Sequence, residues 1–89
     1  MKKVAVVVRD RQEEALRMAV GMTIMVDHVD VYVLDRPVEK NEKNELNLET
    51  LKELGRAVFT NTKENPDMEF LPTEEIAKRL LEYDHVIPY

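Results

Sequence analysis

The chain has 89 residues, 44% of them hydrophobic and 35% charged, with a formal net charge of -5 and no cysteine. That length supports one domain spanning residues 1–89, with a core small enough that a partner subunit would relieve its unburied surface. The acidic balance and the scatter of its 13 basic residues argue against nucleic acid, and without cysteine there are no disulfides, thiolate metal sites or cysteine nucleophiles. Serine is absent too, so a nucleophile would have to be Thr, Lys, Tyr, His or a carboxylate beside an activating neighbour, and no such pair stands at close spacing.

Val4-Ala5-Val6-Val7-Val8 is an apolar run of the kind that fills a parallel strand buried on both faces. It is too short for a signal peptide or a membrane span, so a cytoplasmic protein with no membrane contact is expected. The run stops at Arg9-Asp10-Arg11. Ligands of open α/β sheets collect beyond the carboxyl ends of the strands, which makes this edge the place to look. Asp10 and Glu13 have the spacing of a capping box, and a helix is predicted from about Arg11 to Val26. Its apolar positions (Ala15, Leu16, Met18, Ala19, Val20, Met22, Ile24, Met25, Val26) form an arc wider than one sheet face needs, which fits either deep burial or a contact with another subunit.

Val29 to Leu34 reads as a second strand closed by Asp35-Arg36-Pro37, and Glu39 to Glu45 as a polar loop. Leu48, Leu51 and Leu54 mark a second helix, with Gly55 where a left-handed cap belongs. Ala57 to Thr60 is a third strand, Thr62 to Asp67 a turn, and Met68 to Leu71 a fourth strand. Thr73, Glu74 and Glu75 open a third helix carrying Ile76, Ala77, Leu80 and Leu81. His85 to Tyr89 closes as a fifth strand, with Pro88 favouring an edge. The whole predicts a three-layer α/β/α domain with a mostly parallel five-stranded sheet and three helices. Strands three and four break the rhythm: about six residues join them, whereas a parallel crossover takes a dozen or more. Either a helix has been lost there, or strand four is displaced or antiparallel. Three helices on two faces also leave one face thinly covered, which points to a homo-oligomer.

Asp27-His28-Val29-Asp30-Val31-Tyr32 and Asp84-His85-Val86-Ile87-Pro88-Tyr89 place both histidines at the amino ends of strands, where a capping role in solvent is the commoner explanation and no metal is assigned. Glycine-rich phosphate loops are excluded, because neither Gly21 nor Gly55 follows the first strand; no cofactor is expected. The candidate ligand-binding residues are Arg9, Asp35, Arg36, Asn61 and Thr62, all at carboxyl strand ends. Arg9 and Arg36 near a helix amino terminus could hold a small anion, although solvated charge is the commoner meaning of such residues.

The element order, the segment Glu75 to Ile87, and the second helix running through Gly55 into Val58-Phe59-Thr60-Asn61 resemble the DsrE/DsrF-like sulfur-relay family over nearly the whole chain. The resemblance implies an α/β fold and, in active members, a persulfide-carrying cysteine at the end of the third strand and trimeric or hexameric assembly. Asn61 stands at the matching position, and an amide cannot carry transferable sulfur. The short Thr62 to Asp67 link is a second departure from the family. The resemblance therefore implies a non-catalytic relative that acts through self-association or a protein partner. The alternative is a small-molecule or anion-binding domain with its site at the carboxyl ends of the strands. An enzyme using Asp or His comes third, and its mark would be a cleft bringing Asp35 or Asp10 close to a second titratable group.

Overall fold

The elements run β1 (Lys3–Val8), α1 (Gln12–Met22), β2 (His28–Val33), α2 (Glu42–Glu53), β3 (Val58–Thr60), β4 (Glu69–Phe70), α3 (Thr73–Leu80) and β5 (His85–Pro88). This computed structural model describes residues 2–26, 28–65 and 68–89; Asp27, and the Pro66 and Asp67 of the expected turn, lie outside the described residues.

The strands lie in the order β4-β3-β2-β1-β5. Every pairing in the sheet is parallel. β1 is central because it can be: Val4 to Val8 are all at most 5% exposed, and each fully buried valine contributes on the order of 1.5–3 kcal/mol of apolar transfer. Its neighbours are in register through Val6, which faces Val31 on one side and Ile87 on the other.

Strand alternation sorts the core into two halves. Val6 and Val8, with Val29, Val31 and Val33, pack under Ala15, Leu16 and Ala19 of α1 and Leu51 of α2. Ala5 and Val7, with Tyr32, Leu34 and Phe59, meet Ile76 of α3. The chain steps one way across the sheet through α1 and α2 and returns past β1 through α3. Right-handed crossovers travelling in opposite directions put their helices on opposite faces, which is why α3 stands alone on its side. One face is thus thinly covered, as the helix count implied.

Several local expectations shift. α1 stops at Met22 rather than reaching Val26. From there the amides of Thr23, Ile24 and Met25 bond three residues back, and the Thr23 hydroxyl donates to the Val20 carbonyl at 2.6 Å. A side chain that competes for backbone carbonyls tightens and ends the helix. The capping box at Asp10 does not form: the cap residue of α1 is Arg11, with no side-chain bond, because Asp10 is drawn to Arg36 at 2.7 Å. α2 begins inside the supposed polar loop, since Asn41 Oδ1 accepts from the Asn44 amide at 2.8 Å and starts the helix at Glu42. At its other end Gly55, at φ 74°, closes it as expected. The Gly55 amide bonds Lys52 and the Arg56 amide bonds Leu51, the two bonds of a Schellman motif.

Strand four is neither displaced nor antiparallel. It pairs in parallel with β3, Phe59 opposite Glu69 and Thr60 opposite Phe70. No helix occurs among the described residues that join β3 to β4, so the lost-helix alternative holds. A strand of only two residues lets so short a link suffice, because the chain has little length to retrace.

Candidate functional site

Arg9, Asp10 and Arg36 stand where β1 and β2 meet α1, around a cavity of about 410 Å³. The arginines are cross-paired with the aspartates: Arg9 to Asp35 at 3.6 Å and Arg36 to Asp10 at 2.7 Å, all four side chains more than half exposed. Three arginines line the cavity against four carboxylates, Asp10, Glu13, Glu14 and Glu39. Its electrostatics do not favour an anion, and exposed ion pairs of this kind contribute about 0–1 kcal/mol each. Asp10 and Asp35 each do face a second ionisable group, but it is a guanidinium, which stays protonated and cannot exchange a proton with them.

The five candidates do not form one pocket. Asn61 binds Asp35 rather than the cavity: its Oδ1 accepts from the Asp35 amide at 2.8 Å, and its Nδ2 donates to Asp35 Oδ1 and Thr73 Oγ1, both at 3.2 Å. This grip matters because Asp35 is the one non-glycine residue with positive φ, 71°, among the described residues, a conformation that needs outside support. Thr62 is turned into its own loop, its amide donating to Thr60 Oγ1 and its hydroxyl accepting from the Glu64 amide. Tyr89 closes the crevice between β1 and β5, where the direction of winding reverses: its carbonyl accepts from the amides of Arg9 and Asp10 at 3.1 and 3.3 Å.

Two further residues hold this edge. Buried Asn65 accepts from the Val38 amide at 2.8 Å and donates to Thr60 Oγ1 and the Arg36 carbonyl. Buried Gln12 spans the same loop, donating to the Pro37 carbonyl and accepting from the Glu39 amide. Both are all but withdrawn from solvent and act as braces.

A denser polar cluster lies at the opposite, amino edge. His28, Asp30 and Tyr32 alternate along β2, so all three point to the α3 face. Asp30, 8% exposed, accepts on Oδ2 from His28 Nε2 at 2.8 Å and from the hydroxyl of Tyr83, which follows α3. The Tyr83 proton is committed to Asp30, so Tyr32, 2.9 Å away, donates to Tyr83. Burial raises the Tyr83 pKa, and its hydrogen bond to Asp30 raises it further. Burial raises that of Tyr32 as well. Both phenols therefore remain donors at neutral pH.

Tyr32 stacks on Phe59 at 5.0 Å and meets Tyr83 edge-on at 5.9 Å. Lys3 Nζ lies 5.0 Å above the Tyr83 ring and the Arg79 guanidinium 5.3 Å above that of Phe59. Together these residues border a cavity of about 320 Å³. The readable signal for the cluster was the period-two string His28, Asp30, Tyr32, three polar or amphipathic side chains on one face of a strand otherwise built of valine. A capping role in solvent describes His85, which is exposed, but not His28, which is bound to a buried carboxylate.

Fold and edges together define a small, doubly wound, all-parallel α/β protein in which no described helix is long and apolar enough to cross a membrane. Compared with protein-family models, curated proteins and solved structures, the chain matches none of them.

Proposed function

We propose that this protein is a non-catalytic α/β domain, a divergent relative of the DsrE/DsrF-like sulfur-relay proteins, that works in the cytoplasm by associating with further copies of itself. The exposed apolar side chains after α1 carry the reading: Ile24 is 88% and Met25 86% exposed. Two neighbouring large apolar residues left so open destabilise an isolated monomer's solubility and are covered when a second copy packs on them. The thin cover over the α3 face supports the same reading. Asn61, at the position that would carry sulfur, has its amide engaged by Asp35 and Thr73, which supports a structural role for it. The excess of carboxylates around Arg9 and Arg36 counts against the alternative of anion binding.

Sedimentation equilibrium tests the reading. The wild-type chain is expected to self-associate at micromolar concentration, and Ile24→Asp combined with Met25→Asp to be monomeric with an unchanged far-UV spectrum. A wild-type monomer throughout that range would overturn self-association, as would a double variant that assembles like the parent.

A further inference from the structure

We infer that the groove beside α2, over β3 and the approach to β4, is the socket that receives Ile24 and Met25 of a second copy. This rests on the self-association proposed above and names the surface that covers those two side chains.

The groove exists because a crossover lacks its helix. The steps from β1 to β2 and from β2 to β3 lay α1 and α2 on one face, while the same step from β3 to β4 carries no helix among the described residues. The strip of sheet beyond α2 is therefore open on that face. It forms a cavity of about 470 Å³ whose apolar lining is Leu48, Val58 and Met68, all three only partly buried against the core. Glu45 and Glu49 line it toward the start of α2, Lys52 and Arg56 toward its end.

Ile24 and Met25 are the matching projection, two adjacent large apolar side chains almost wholly in solvent. They cannot fill the groove of their own chain. α1 crosses between β1 and β2 and packs against α2, so α2 stands between α1 and the groove. A second copy brings the two features together, with apolar anchors in a pocket and charges at its rim. The charges favour the same pairing. α1 has no basic residue in its last turn, so the negative end of its dipole is unanswered within the helix. Lys52 makes no ion pair among the described residues, and the basic end of the groove is where the carbonyl end of α1 would lie.

The contact joins two different patches of surface, whereas Ile24 and Met25 packing on their own counterparts would join like with like. Met68→Lys puts a charge in the socket, and sedimentation equilibrium should show self-association weakened at least about tenfold with an unchanged far-UV spectrum. A second measurement leaves the core untouched and starts from a chain with no cysteine. Met25→Cys and Glu49→Cys, both at exposed positions, are mixed under mild oxidation. The cross-linked dimer holding one of each chain, identified by mass, should exceed the Met25→Cys homodimer by about fivefold or more. A folded Met68→Lys protein that assembles like the parent would overturn the socket while leaving self-association in place. So would a mixture without the mixed dimer, or Met25→Cys chains that cross-link to one another as readily as to Glu49→Cys. A wild type that stays monomeric would remove self-association and the socket together.

Discussion

The Tyr83 hydroxyl donates to Oδ2 of Asp30 and so ties the exit of α3 to the start of β2, across 53 positions of sequence. It is the middle of an ordered relay in which Tyr32 donates to Tyr83, and His28 donates to the same carboxylate from the other side. The order makes the members unequal. Tyr83→Phe removes a donor from a buried carboxylate and an acceptor from fully buried Tyr32 at once, whereas Tyr32→Phe removes only a donor to Tyr83. Stranding buried polar groups costs about 1–3 kcal/mol, against about 1 kcal/mol for a hydrogen bond lost without a stranded partner. Urea unfolding should therefore rank Tyr83→Phe as clearly the more damaging change. Equal losses would show that the relay does not have this direction.

The same relay predicts an alkaline limit to stability. The folded pKa of Tyr83 is raised above its ordinary value of 10.0, chiefly by burial and then by its bond to Asp30. That of Tyr32 is raised too. In the unfolded chain both phenols ionise near pH 10, while the folded chain keeps them protonated, so the unfolded state binds fewer protons above that pH. Their contribution is complete below about pH 10 and is lost as the pH rises beyond it. Urea midpoints at about pH 9 and about pH 11 should fall steeply for the wild type, and less steeply for Tyr83→Phe. Parallel slopes for the two proteins would remove Tyr83 from the explanation.

At the carboxyl edge the conspicuous residues and the important ones differ. Arg9→Ala and Arg36→Ala each remove an exposed ion pair and should change stability by no more than about 1 kcal/mol. Asn65→Ala instead frees the Val38 amide, the Arg36 carbonyl and the Thr60 hydroxyl at a site 6% exposed. Its expected loss, about 2–4 kcal/mol, follows from leaving several buried groups unpaired. Thermal unfolding of the three variants decides between them. An Asn65→Ala protein as stable as Arg9→Ala would show that the loop between β2 and α2 does not depend on this brace.

Asn65 also shows where reading the chain by pattern runs out. Val4 to Val8 announced a central strand because burial on both faces permits nothing but apolar side chains, and Gly55 announced a helix end because its backbone is nearly free of steric penalty at positive φ. Those signals are local. Asn65 lay in a stretch that looked like an ordinary polar turn, and its meaning comes from partners 5, 27 and 29 positions away. The Asp10 cap failed for a related reason: Arg36, remote in sequence, offered a charged partner to a side chain that local spacing had assigned to the helix amides. His28, Asp30 and Tyr32 were legible as one face of a strand, but Tyr83, which makes them a network, joins only through the return of α3 across the sheet.

The two glycines give a paired test of backbone against packing. Gly55 has φ 74° and no heavy atom within 4 Å of where a Cβ would stand, so Gly55→Ala meets no clash and pays only for the left-handed backbone. That penalty is about 1–2 kcal/mol, and it also strains the two capping bonds to Lys52 and Leu51. Gly21 lies within α1, equally uncrowded, without a positive φ. There alanine restricts the unfolded chain and suits the helix, so Gly21→Ala should stabilise by about 0.4–1 kcal/mol. Urea titrations of both variants should move the midpoint in opposite directions. The same sign at both positions would mean that the backbone angle at Gly55 does not govern the end of α2.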